Sequence, residues 1–202
     1  KMFNIAKSLF YAKNGEEATK IYERVEKYEG ISDRMEVEIA KYLTKAAEGR
    51  LSNVSKKNVH ALLRVVSEIE SIGDSNFNLA KTIMRKRNDG KEYTPEMTKR
   101  VEDMFVLVEE ALSEMMHVLN ENMTDMTVGS INNSLRIEKD INALRNEYRM
   151  MNATDVKEQK YPYEVSVTYM DMIGECEKIG DYILNVVEQY QETRAEHKVQ
   201  EL

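Results

Sequence analysis

Residues 70 to 78 read ESIGDSNFN, and residues 177 to 185 read EKIGDYILN. A shift of 107 residues superposes Glu68 on Glu175, Glu70 on Glu177, Ile72 on Ile179, Gly73 on Gly180, Asp74 on Asp181 and Asn78 on Asn185. An internal duplication constrains a chain more than any single motif does, because the same kind of unit must be built twice. In an α-helix residues four apart share a face, so Glu70, Asp74 and Asn78 stack along one side, as do Glu177, Asp181 and Asn185. Like charges at that spacing cost a helix roughly 0.2 to 0.5 kcal/mol, and a mid-helix glycine about 1 kcal/mol relative to alanine. Something must offset both, twice. Paired carboxylates accepting a cation would do so, with Gly73 and Gly180 admitting the backbone of a neighbouring helix close to each site.

The rest of the chain reads as all-α. Among 202 residues there are 8 Gly, 2 Pro and no Trp, a composition suited to long helices and poor in turns. Apolar periodicity and its breaks predict six helices, from about Phe3 to Lys13, Glu16 to Glu48, Ser52 to Arg87, Pro95 to Met126, Ser130 to Met151, and Tyr163 to Glu196. Met35, Ile39, Tyr42 and Ala46 form the expected apolar stripe of the second. Leu62, Val65, Val66, Ile69, Ile72, Leu79 and Ile83 form that of the third, and Val167, Met170, Ile173, Ile179, Ile183, Val186 and Val187 that of the last. The clearest break is RNDGKEYTP at 87 to 95, where Asp89-Gly90 makes a turn and Thr94-Pro95 starts a helix. Two tandem three-helix bundles follow, residues 1–88 and 89–202, joined up-and-down by short loops. The 13 methionines, Met115, Met116, Met150 and Met151 among them, are expected to fill the bundle core.

Charge and cysteine content narrow the function. With 36 acidic against 29 basic residues the net charge is −7, which argues against nucleic acid as the main partner. The single cysteine, Cys176, forms no internal disulfide and supplies no zinc site. No run of 18 apolar residues is present. The chain begins at Lys1, and a preceding partner segment is an expectation of this reading.

Two carboxylates are too few for a firm cation site, so the second helix of each half should add ligands. The first half offers Glu29, Asp33 and Glu36, the second Glu138 and Asp140. Oxygen ligands suit Mg²⁺, Ca²⁺, Mn²⁺ or iron. Two registers relate these helices: 107 pairs Asp33 with Asp140, whereas 102 pairs Glu36 with Glu138 and aligns Met35, Ile39 and Tyr42 with Ile137, Ile141 and Leu144. The apolar stripe favours 102.

With E-x-I-G-D-x-x-x-N on the third helix of each half, and MEVEI at 35 to 39, the sequence resembles the PhoU family over essentially its whole length. Ser71 and Lys178 stand where the family often has arginine. The resemblance implies a twofold pseudo-symmetric helical protein that takes divalent or trivalent metal ions at surface acidic clusters and regulates phosphate uptake, without catalysis. The same module occurs as the cytoplasmic C-terminal domain of sodium/phosphate cotransporters. A first half short of a full-length first helix fits that version, held at the inner face of the membrane. The partner is then a phosphate transporter or the chain's own membrane domain, with inorganic phosphate a candidate at the metal. The amphipathic helices also leave room for a homodimer.

Two rivals remain. A ferritin-like di-iron enzyme needs Glu-x-x-His on two helices, and the chain offers one, Glu114 to His117. A metal-free helical adaptor would instead use the repeated acids to pair with lysine and arginine. There is no Gly-x-Ser-x-Gly and no glycine-rich phosphate loop.

Overall fold

The computed structural model describes residues 1–49, 51–120 and 128–198, with side chains throughout except at 128–130 and 193–198. The described residues form six α-helices: α1 Met2–Phe10, α2 Gly15–Ala47, α3 Asn53–Asn88, α4 Pro95–Asn120, α5 Val128–Lys157 and α6 Tyr163–Lys198. No strand occurs among the described residues.

Local chemistry sets the helix ends. The Asn14 side chain accepts from the Glu17 N–H at 2.9 Å while Glu17 accepts from the Lys13 N–H at 2.8 Å, satisfying two donors at the start of α2. Ser52 does the same for Ser55 at the start of α3. Thr94 accepts from the Met97 N–H at 3.2 Å, with Pro95 at the first helical position of α4 as the sequence predicts. Between α3 and α4 the turn closes on Gly90, whose φ of 61° is a left-handed conformation that favours glycine.

The most extensive helix pair is α3 with α6. Arg64 reaches Gln189, Asn185 donates to Glu68 at 3.1 Å, and Arg85 pairs with Asp171, so the two helices run antiparallel. In that register Gly73 lies level with Gly180, and the pseudo-twofold relation between the halves passes through this crossing. The flanking helices lie on the pair: α2 and α1 on α3, α4 and α5 on α6. An aromatic cluster ties α1 to the second half, with Phe105 edge-on to Phe3 at 5.8 Å and to Phe10 at 5.6 Å.

Three expectations need correction. The apolar stripe of α2 is not core: Met35 is 57% and Tyr42 74% exposed, and Ile39 is also exposed. Its period is right, but a stripe is buried only where another element lies on it, and the nine-residue α1 is too short to reach. Leu62, Ile69 and Val167 are exposed as well, and of the four methionines assigned to the core only Met115 is buried. Finally, α5 continues six residues past Met151. Polar side chains prolong it, because Asn152 donates to Ser166 and accepts from Tyr161, while Asp155 pairs with Arg100 and Lys160. The expected end of α4 at Met126 lies outside the described residues.

Phe105 is fully buried where α1 meets α4, so Phe105→Ala should cost about 3 to 5 kcal/mol of unfolding free energy. Urea denaturation of the two proteins measures this; a loss below about 1 kcal/mol would mean that α1 does not seal the second half.

Candidate functional site

Both motifs place their acids on the flank of the central pair that meets the second helix of the same half. On the first face α2 brings Glu29, Asp33 and Glu36 beside Glu70 and Asp74 of α3. Burial, then Glu36, Asp33 and Asp74, hold the Glu70 carboxyl above its ordinary range. Burial, then Asp33 and Asp74, do the same to Glu29, with Lys81 acting against them. Asn78 donates to Asp74 at 3.2 Å. Among the described residues none of these five carboxylates has an ion-pair partner within salt-bridge distance.

The second face has the same skeleton and a different charge balance. Arg145 of α5 donates to Glu177 at 2.5 Å, with side-chain exposures of 28% and 18%. Burial raises Asp181 to about 6, with Glu177 and Glu138 adding to the rise and Arg145 opposing it. Asn142 donates to Glu138. Two residues expected here are engaged elsewhere: Asn185 bonds Glu68 across the central pair, and Asp140 pairs with Arg136, which also holds Glu110.

The glycines face the second helices, but what approaches them is side chain and not backbone. A Cβ on Gly73 would lie 3.1 Å from Ser32 Oγ, and one on Gly180 only 2.9 Å from Ile141 Cδ1. These contacts also fix the register of the duplication. Ser32 corresponds to Ile141, Glu36 to Arg145 and Glu29 to Glu138, a shift of 109 and neither 107 nor 102. The stripe could not separate 102 from 109, since seven residues is about two helical turns and brings the same face round again. Arg145 is the residue that sequence reading missed. Its signal was its position seven after Glu138, on the same helix face.

Donor chemistry divides the two faces. The first offers only oxygen ligands, on carboxylates that have no salt-bridge partner among the described residues, the donor set of a hard cation. The second presents a guanidinium to Glu177 and does not fit a cation in this arrangement. Among the described residues no three His, Cys, Asp or Glu side chains already converge on one point, so a metal on the first face requires rotamer changes of these acids, of which Asp33 and Asp74 are exposed and the rest half-buried. Glu114 of the di-iron rival accepts from Asn133 at 2.8 Å and belongs to no such cluster. Cys176 is wholly buried, which pushes its thiol far up and leaves it unreactive.

A duplicated six-helix bundle with one acidic motif per half defines a class, and the comparisons say which. The model of the PhoU domain matches residues 1–83 and again 101–190, and the chain belongs to the PhoU family. It is similar to the crystal structure of the phosphate transport system regulatory protein PhoU from Streptococcus pneumoniae, with a TM-score of 0.70 and 16% identity over 93% of this chain and 85% of that one. No curated protein matches it.

The raised Asp181 carboxyl has a measurable consequence. Its folded pKa of about 6 lies above the ordinary aspartate value of 3.8, so the native state binds the extra proton and stability falls as pH rises through roughly 4 to 6. In chelator, Asp181→Asn should match the parent near pH 3.5 and melt higher at pH 7.5. Equal melting temperatures at both pH values would show that the carboxylate is not held in an unfavourable site.

Proposed function

We propose that the chain is a regulatory domain of phosphate transport that takes a hard cation, iron, Mn, Mg or Ca, on its first acidic face. Family membership supports the regulatory part. The observation that carries the metal part is the gathering of Glu29, Asp33, Glu36, Glu70 and Asp74 with no ion-pair partner within salt-bridge distance among the described residues, and with Glu29 and Glu70 both raised by burial and by their neighbours. A cation there would supply the missing positive charge and a Lewis-acidic point at which inorganic phosphate can bind. The residues themselves gather the carboxylates on two rigid helices, and Asn78 orients Asp74. Regulation follows only if two states of the assembly bind the cation differently. The partner in this reading is a phosphate transporter or the chain's own membrane domain, at the cytoplasmic face of the membrane. Among the described residues no helix is long and apolar enough to cross a membrane.

On the second face a specific observation favours the metal-free alternative, since Arg145 already neutralises Glu177. That face acts as a structural brace between α5 and α6. A cation present at one hundred times its dissociation constant stabilises its protein by about 2.7 kcal/mol. Titrating Mn²⁺ into chelator-stripped protein should therefore raise the melting temperature of the parent and of Asp181→Ala, and not that of Asp74→Ala. The metal reading is wrong if no cation moves the parent, or if Asp74→Ala responds like it.

A further inference from the structure

The asparagine that ends each motif chooses a different acceptor in each half. Asn185 of α6 donates across the central pair to Glu68 of α3 at 3.1 Å. Its twin Asn78 stays on its own helix and donates to Asp74 at 3.2 Å. The shift of 107 that relates the motifs carries the Asn185–Glu68 pair onto Asn78 and Glu175. The antiparallel register that sets Arg64 against Gln189 and Glu68 against Asn185 likewise sets Asn78 level with Glu175. Glu175 lacks that bond. Its side chain is 13% exposed, its Oε1 accepts from Lys178 at 2.9 Å, and its Oε2 is buried with no hydrogen-bond donor among the described residues. A buried carboxylate oxygen of that kind is costly until something donates to it.

The two halves differ in the charge beside these amides. On the second face Arg145 brings a guanidinium to Glu177 and opposes the rise of Asp181, and there the amide has crossed to the other helix. On the first face Glu36 stands where the second has Arg145, and the amide remains on Asp74. Two lysines reach the edges of the first face without forming a salt bridge to its acids: Lys178 is paired with Glu175, and Lys81 lies over the Phe77 ring. An amide N–H offers a carboxylate only a partial charge, which a full positive charge replaces with a stronger attraction.

We propose that Asn78 is a two-position switch, donating to Asp74 while no further positive charge occupies the first acidic face and crossing to Glu175 once one settles beside Asp74. The crossing adds a hydrogen bond between α3 and α6, so occupancy of the face is transmitted to the helix pair on which the fold is built. Where the positive charge is a metal ion, the switch rests on the cation reading of the first face; where it is a side chain, it does not.

Glu36→Arg separates the two. It places on the first face the guanidinium that Arg145 places on the second, and its crystal structure is determined in chelator. The Asn78 amide should lie within hydrogen-bond distance of Glu175 Oε2 and away from Asp74; an amide still on Asp74 overturns the switch. In solution, Asn78→Ala should lower the melting temperature of Glu36→Arg by at least about 3 °C more than that of the parent, because a hydrogen bond to a half-buried charge is worth more than one between exposed groups. Equal losses overturn the switch as well. Parent crystals are then soaked in Mn²⁺, located by its anomalous scattering. Manganese at Asp74 with Asn78 on Glu175 supports the switch, and manganese at Asp74 with Asn78 unmoved overturns it. Manganese absent from this face defeats the cation reading alone, and the Glu36→Arg structure still decides for or against the switch.

Discussion

Everything in this molecule is arranged around the antiparallel packing of α3 on α6. Each is 36 residues long, and each carries one copy of the motif near the point where they cross. A duplicated unit closes on itself most simply when its equivalent helices meet across a pseudo-twofold, since each then buries the same apolar stripe against its twin. Ile72, Leu79 and Ile83 from one side and Ile179, Ile183, Val186 and Val187 from the other are buried by that contact or just beside it. With the stripe committed inward, the acids of the motif are left to the flank, where only α2 or α5 can reach them. Glycine serves this flank: at Gly180 the Ile141 side chain lies where a Cβ would stand, so the second helix packs deeply enough to bring Glu138 to Asp181.

The two halves share a skeleton and differ in electrostatics. One residue accounts for most of that difference. Where α2 presents Glu36 to Glu70, α5 presents Arg145 to Glu177. A half-buried pair of this kind contributes little to net stability, since desolvation offsets much of the Coulomb gain. Its consequence is local: Glu177 on the second face has a guanidinium partner, and its counterpart Glu70 on the first has none among the described residues. Duplication has thus kept the fold in both halves while only the second has gained an arginine on its acidic face.

The sequence discloses the duplicated motif, the six helices and the acids because each is written in local spacing. Helix ends follow from Asn14, Ser52 and Thr94, whose capping is a short-range matter. What the sequence hides is long-range. Burial of Met35 or Tyr42 depends on whether another helix lies over them, which periodicity cannot reveal. The length of α5 depends on Arg100 and Lys160 reaching Asp155 from elsewhere in the fold. The pairing of α2 with α5 was ambiguous by a heptad, and that ambiguity concealed Arg145. Asn185 and Asp140 look like ligands in a linear motif, yet each finds a nearer partner once the helices are packed.

The central claim is that one acidic face remains open to a cation while its twin is closed by an arginine. Paramagnetic Mn²⁺ added in substoichiometric amounts to ¹⁵N-labelled protein tests it most directly, because line broadening reports distance from the ion residue by residue. The account predicts that amides around Glu29, Asp33, Glu70 and Asp74 broaden first and those around Glu177 and Asp181 stay sharp. Equal broadening at both faces, or broadening confined to the second, would contradict it.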